Sequence, residues 1–303
     1  MAKILLAHPL FLAKSPEESE LSSPYFPLGL LYLAGYVRDQ GHDVAIFDGT
    51  FRADESEFTT VLEDEAPDIV GISALQPTRE TALALAELAA KYNIAASQQV
   101  AVMMGGPDPT ESPERYLSSA VDLVVHHEGE QTLAHLADLV DQGALSLEQL
   151  TEEPGIAYRR DGQMVVNQPR PPLENLDELP LPARDLIDMD RYLNTWEQDQ
   201  GYSSVTIATS RGCPFGCQWC QDAVHGAGFR QRSPESVAAE VKALSERYEI
   251  ERLRFIDDVD GIDREWFERW ALASQAVGAD TPFEPLSESA RPDLPLLDVR
   301  DSL

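Results

Sequence analysis

Lysine is nearly missing from this 303-residue sequence, occurring only at positions 3, 14, 91 and 242. With arginine, that makes 23 basic residues against 53 acidic ones, a formal net charge of −30 and a pI near 4.3. A surface this negative repels phosphate backbones and anionic lipid, so no nucleic-acid partner is expected. The acidic residues are spread along the chain instead of gathered in a tail. They read as a solvated surface suited to high salt, with a dedicated cationic partner as the other reading. Long apolar runs are missing too. None approaches the ~20 residues needed to cross a bilayer. The N-terminal Ile4-Leu5-Leu6-Ala7 is cut off by His8-Pro9 and is too short for a signal peptide. The expectations are therefore no membrane span and a cytoplasmic protein.

Cysteine is the third scarcity. The chain has 3, and Cys213, Cys217 and Cys220 fall within one short stretch. That excludes a disulfide framework and points to metal binding or redox chemistry.

What the sequence does have is alternation. Short β-branched runs at 3–7, 44–48, 69–73, 100–105 and 123–126 alternate with helical patterns near 29–40, 55–65, 79–92, 113–118 and 131–142. Such alternation predicts an α/β fold with a parallel sheet covered on both faces. Continuous apolar strands such as Ile69-Val70-Gly71-Ile72 fit that burial. Residues 1–145 are thus expected to form a Rossmann-like domain. Asp161-Gly162, flanked by extended runs, marks a hairpin. A proline-rich stretch from 168 to 184 reads as a linker, so 146–202 is assigned to hairpin and linker. A second βα series opens with a strand at 205–209. It continues through the cysteine loop, a helix at 234–248, a strand at 252–256, a helix at 264–276 and a weaker strand near Phe283. Ser233-Pro234-Glu235 marks a helix start, with serine as cap and proline in the first turn.

The chemistry lies in Ser210-Arg211-Gly212-Cys213-Pro214-Phe215-Gly216-Cys217-Gln218-Trp219-Cys220, a C-x3-C-x2-C spacing directly after a strand. Thiolates suit iron–sulfide clusters, and four would saturate a cubane. Three leave one iron open to the amino and carboxylate groups of S-adenosylmethionine. Gly212 and Gly216 allow the tight turns that three converging sulfurs require. A Cys3His zinc site with His225 as the fourth ligand is the alternative. Two acidic residues, Asp257 and Asp258, end the following strand.

This loop resembles the signature of the radical S-adenosylmethionine superfamily, whose aromatic residue before the third cysteine, here Trp219, packs near the adenine. The resemblance implies Cys213, Cys217 and Cys220 as ligands of a [4Fe–4S] cluster. It also places Asp257 and Asp258 near S-adenosylmethionine, with a hydrogen bond to its amino group or a role as acidic strand caps both left open. The order of parts resembles the cobalamin-binding branch of the superfamily, which includes the anaerobic magnesium-protoporphyrin ester cyclase and cobalamin-dependent methylases. That likeness rests on Pro27-Leu28-Gly29-Leu30-Leu31-Tyr32-Leu33-Ala34, Gly105-Gly106-Pro107-Asp108-Pro109-Thr110, His127-Glu128-Gly129-Glu130 and Leu181-Pro182-Ala183-Arg184-Asp185-Leu186. Gly105 and Gly106 directly follow a strand, at the rim where open α/β sheets bind ligands. The resemblance implies cobalamin there. The D-x-H-x-x-G motif is absent, so cobalt would lack a protein histidine.

The implied activity is reductive cleavage of S-adenosylmethionine to a 5′-deoxyadenosyl radical. Methyl transfer or oxidative ring formation on a small-molecule substrate follows, with an external electron donor. At ~30 residues per βα unit, residues 203–303 hold only the first part of a radical S-adenosylmethionine barrel. The expectation is a truncated frame, a split enzyme completed by another chain, or a reduced cofactor-binding protein.

Overall fold

The computed structural model describes residues 1–14, 23–96, 100–118, 120–215, 217, 224–226, 228–259, 262–278 and 284–287. They divide into two compact units. The first comprises Met1–Leu21, Gly29–Pro172 and Pro182–Ile187, and the second Ser22–Leu28, Leu173–Leu181 and Asp188–Leu303.

In the first unit the elements follow as β1 (Lys3–His8), α1 (Leu28–Asp39), β2 (Asp43–Asp48), α2 (Ser56–Glu65), β3 (Ile69–Ser73) and α3 (Arg79–Ala96). Next come β4 (Ala101–Gly105), α4 (Pro107–Glu111), β5 (Leu123–Val125), α5 (Glu130–Asp141), α6 (Leu147–Glu152), β6 (Ile156–Arg160) and β7 (Gln163–Val166). The sheet order is β2-β1-β3-β4-β5-β6-β7, parallel from β2 through β5 and antiparallel for the last two. The chain reverses its direction of travel across the sheet between β1 and β3, which is the switch point where doubly wound folds open a ligand crevice.

Strand alternation splits the core into two layers. Leu5 and Ala7 of β1 face one side with Phe58 and Leu62 of α2 and Leu85 and Ala89 of α3. Ile4 and Leu6 face the other, with Leu30, Ala34 and Val37 of α1 and Leu133, Leu136 and Ala137 of α5. The result is a Rossmann-like three-layer sandwich. Its β6–β7 hairpin turns on Asp161 and Gly162, both at positive φ as the Asp-Gly pair requires.

The structure differs from the sequence reading after β4. The expected helix at 113–118 is a 3-10 turn over Pro113–Arg115, and an α-helical turn begins earlier, at Pro107. Proline at the first helical position gives up an N–H that has no intrahelical partner there, so Gly106-Pro107 starts a helix instead of blocking one. The stretch 189–200 also differs, because it folds as a helix.

The second unit contains α7 (Met189–Gln200), β8 (Ser204–Ile207), β9 (Ser210–Arg211), β10 (Arg230–Gln231), α8 (Pro234–Arg247), β11 (Arg252–Phe255), α9 (Arg264–Ala276) and β12 (Glu284–Ser287). β8, β11 and β12 are parallel neighbours joined through α8 and α9, the (βα) pattern expected of this region. Phe255 meets the Trp270 and Phe267 rings of α9 edge-on. Capping is as the sequence suggests: the Ser233 hydroxyl accepts the Ser236 N–H at the start of α8. Asp188 and Gly201 bracket α7 in the same way, as side-chain cap and left-handed terminator. Among the described residues no helix is long and apolar enough to cross a membrane.

Candidate functional site

Two groups of residues sit at the carboxyl ends of parallel strands, one in each unit. In the first unit the ends of β3 and β4 are held together, the Ala74 N–H donating to the Gly105 carbonyl at 2.8 Å. Gly106 follows at φ +103, and a Cβ there would lie 2.7 Å from the Ala74 carbonyl oxygen and 3.3 Å from the Ser73 hydroxyl. Gly105 differs, since its nearest neighbour to an added Cβ is the Val125 carbonyl at 3.7 Å, an ordinary contact. Leu75, next along this rim, is 46% exposed. A backbone-lined floor with an exposed leucine beside it suits a flat macrocycle rimmed with amide groups, so the residues present fit cobalamin. The sequence reading had not singled out Ser73-Ala74-Leu75. Small residues at the end of a buried strand, followed by leucine, were the available signal.

Two histidines end strands on the same rim. His8 closes β1 opposite Asp48 of β2. Burial pushes its imidazole below the ordinary histidine range, with Asp48 opposing. His126 extends β5 by donating its backbone N–H to the Gly155 carbonyl at 2.8 Å. Burial pushes it down as well, and the neighbouring His127 adds to the shift. Nε2 of each ring is buried and makes no hydrogen bond. Burial thus favours the neutral form of both rings.

The α4 turn is fixed by Asp108. Its carboxylate takes a two-pronged contact from Arg79, 2.7 Å on each arm, and accepts the Tyr116 hydroxyl. The guanidinium holds this carboxyl below the usual carboxylate range. The Asp108→Ala substitution leaves the fully buried Tyr116 hydroxyl without its acceptor, and a loss of about 2 kcal/mol in urea unfolding is expected. Because the folded carboxyl is held low, the wild-type contribution is complete above about pH 4 and fades as pH falls through the lowered value. The gap between wild type and Asp108→Ala should therefore close in acid.

In the second unit, β9 and β10 form a short antiparallel ribbon with Arg211 opposite Arg230. The ribbon is the neck of the cysteine loop. Gly212 leaves it at φ +79, and a Cβ there would lie 1.9 Å from the Gly228 carbonyl oxygen on the returning limb. Arg230 donates to the Leu173 carbonyl at 2.8 Å and to the His225 carbonyl at 3.4 Å. The Arg232 N–H donates to the Thr209 carbonyl at 2.9 Å, and its buried guanidinium bridges the Ala208 carbonyl and the Glu240 carboxylate. Cys213 and Cys217 are half-buried in the loop and neither is in a disulfide. Cys220 and Trp219 lie outside the described residues. Asp257 and Asp258 stand at the end of β11, beside the neck. Asp257 Oδ1 accepts the N–H groups of Thr209 and Ser210 at 2.7 and 3.0 Å, and its Oδ2 accepts the Thr209 hydroxyl. Asp258 Oδ2 accepts the Gly212 N–H at 2.8 Å. Sulfur donors on a glycine-necked loop at a strand end fit an iron–sulfur cluster. The loop-to-strand bonds were not legible from the sequence.

Residues 19–137 match the B12 binding domain family. The chain is 36% identical over 240 residues to an uncharacterized methyltransferase of Pyrococcus horikoshii, covering 77% of this chain and 48% of that protein. It is 27% identical over 271 residues to the anaerobic magnesium-protoporphyrin IX monomethyl ester cyclase of Rubrivivax gelatinosus, covering 88% of this chain and 46% of that one. The chain thus spans about half the length of these curated relatives. Its fold is similar to that of OxsB, a cobalamin-dependent S-adenosylmethionine radical enzyme solved with aqua-cobalamin and S-adenosylmethionine bound. The TM-score is 0.76 at 19% identity, over 90% of this chain and 37% of that one.

Proposed function

We propose that the chain is a radical S-adenosylmethionine protein with a B12-binding domain, the cofactor-binding part of an enzyme that cleaves S-adenosylmethionine reductively, a reading its likenesses support. The observation that carries the reading is the cysteine loop, held at the end of β8 by a ribbon, a glycine neck and two carboxylates. Cys213, Cys217 and Cys220 would hold a [4Fe–4S] cluster, and the rim at Ala74, Leu75 and Gly106 would hold cobalamin. Bound there, these groups would supply an electron to the sulfonium of S-adenosylmethionine and a carrier for a methyl group. The chain's own part is to fix the thiolates at the strand end, to leave one coordination position unprovided, and to present a backbone floor to the macrocycle. The reaction class is methyl transfer or oxidative ring closure on a small molecule, in the cytoplasm, with an external electron donor.

The test is anaerobic reconstitution with iron and sulfide, followed by electron paramagnetic resonance of the reduced protein with and without S-adenosylmethionine. The expected result is a [4Fe–4S] signal that shifts on adding S-adenosylmethionine and is absent from Cys217→Ala. Zinc bound in place of iron, or a signal indifferent to S-adenosylmethionine, would overturn the proposal.

A further inference from the structure

β11 and β8 are parallel neighbours in register from Arg252 opposite Ser204 to Phe255 opposite Ile207. One residue further the Ile256 N–H still donates to the Ile207 carbonyl at 3.1 Å. Strand pairing stops there, and the chain leaving β8 has to find other acceptors for its N–H groups. It finds them in two consecutive side chains. Asp257, 5% exposed, receives three donors, the Thr209 and Ser210 amides on one oxygen and the Thr209 hydroxyl on the other. Asp258 receives the Gly212 amide at 2.8 Å. Arg211, between these residues, belongs to the ribbon with Arg230.

We propose that Asp257 and Asp258 are positioning residues that clasp the neck of the cluster loop to the end of β11, and are not contacts to the amino group of S-adenosylmethionine. The inference rests on the cluster reading given above. A carboxylate offers about four lone-pair directions, and Asp257 already meets three donors with both of its oxygens engaged. Asp258 bonds the N–H of Gly212, the residue immediately before Cys213, so the position of the first thiolate follows from this bond. Charge-assisted bonds to backbone amides are short and directional, as a device that fixes a backbone needs.

Clasp and ligand contact make different demands on chemistry. A clasp needs an acceptor oxygen, whereas an ammonium contact draws much of its strength from the negative charge. Asparagine keeps the oxygen and loses the charge. At Asp257 its amide nitrogen would also face the Thr209 hydroxyl, which can turn and accept.

The experiment uses the full chain, reconstituted anaerobically as wild type, Asp257→Asn, Asp257→Ala, Asp258→Asn and Asp258→Ala. Iron and sulfide per chain are measured, together with the reduced cluster's resonance before and after adding S-adenosylmethionine. The expected result is wild-type cluster content and a wild-type ligand-induced shift in both asparagine variants. Both alanine variants should lose cluster content at least tenfold. Asparagine variants that keep their iron but lose the shift would overturn the inference and make the carboxylates ligand contacts. Alanine variants with wild-type iron and spectrum would overturn it as well. The asparagine arms decide the question even if an alanine variant fails to fold. A wild-type chain that takes up no cluster would sink the parent reading, and this inference with it, before any variant is compared.

Discussion

Gly212→Ala is expected to remove the iron–sulfur cluster while leaving the first unit folded. The residue lies at φ +79, where an L side chain carries a penalty of about 1–2 kcal/mol. The larger difficulty is space. The added Cβ would sit 1.9 Å from the Gly228 carbonyl oxygen and 3.0 Å from that of Gly226, and both are backbone atoms on the returning limb. A flexible side chain could move aside, but these atoms move only if the two limbs of the loop separate. Separation pulls the Gly212 N–H away from Asp258 and opens the ribbon that sets Arg211 opposite Arg230. Overpacking of this kind adds roughly 1–3 kcal/mol. With strain included the total is about 2–5 kcal/mol, and at about 1.4 kcal/mol per factor of ten that is roughly 30- to 4,000-fold in the population able to hold the cluster. Iron and acid-labile sulfide per chain after desalting give the readout. Cobalamin uptake, followed by its visible spectrum, should be unchanged because Gly212 belongs to the second unit. Wild-type iron in this variant would mean that the loop is not closed at Gly228.

Gly106→Ala is expected to abolish cobalamin binding, whereas Gly105→Ala is expected to bind as wild type does. The two glycines are adjacent and equally prominent in the sequence, but their surroundings differ. Gly106 lies at φ +103 and ψ −179, a region that glycine alone visits freely. Its added Cβ would stand 2.7 Å from the Ala74 carbonyl oxygen and 3.2 Å from the Ala74 nitrogen. Relief requires breaking the bond between the Ala74 N–H and the Gly105 carbonyl, which holds the ends of β3 and β4 together at the switch-point side of the sheet. About 3 kcal/mol of strain and displaced packing is expected. Gly105 has only the Val125 carbonyl at 3.7 Å, so a methyl group fits. Equilibrium titration with aquacobalamin, alongside urea unfolding, separates loss of the floor from loss of the fold. Equal binding by the two variants would remove the β3–β4 rim from the cofactor site.

Much of this architecture was legible in the residues. The strands observed at Lys3–His8, Asp43–Asp48, Ile69–Ser73, Ala101–Gly105 and Leu123–Val125 lie within one residue of the apolar runs that announced them. Buried parallel strands leave that trace because both faces must be apolar. Besides the short α6 (Leu147–Glu152), two helices did not announce themselves. The α4 turn is built on Pro107 and Pro109, residues that ordinarily mark irregular chain. The other, α7, is polar over most of its length and buries Met189, Tyr192, Leu193 and Trp196. The spacing of those four and the Asp188 and Gly201 brackets were its signal. The site divided along a different line. Its residue types could be named from spacing and resemblance, while their partners could not. Asp257 and the Thr209 amide are 48 positions apart, and only the register of β11 against β8 brings them together.

The neck of the cysteine loop is tied to the end of β11 by hydrogen bonds between residues distant in the chain, which bears on how its shape is reached. Amides of Thr209, Ser210 and Gly212 reach carboxylates 46 to 48 residues later, so the tie forms when β8 and β11 pair. Ordering a loop residue from the unfolded chain costs roughly 1–2 kcal/mol in backbone entropy. At the neck this ordering accompanies the pairing of β8 with β11. The shape of the neck is therefore tied to the register of β8 against β11.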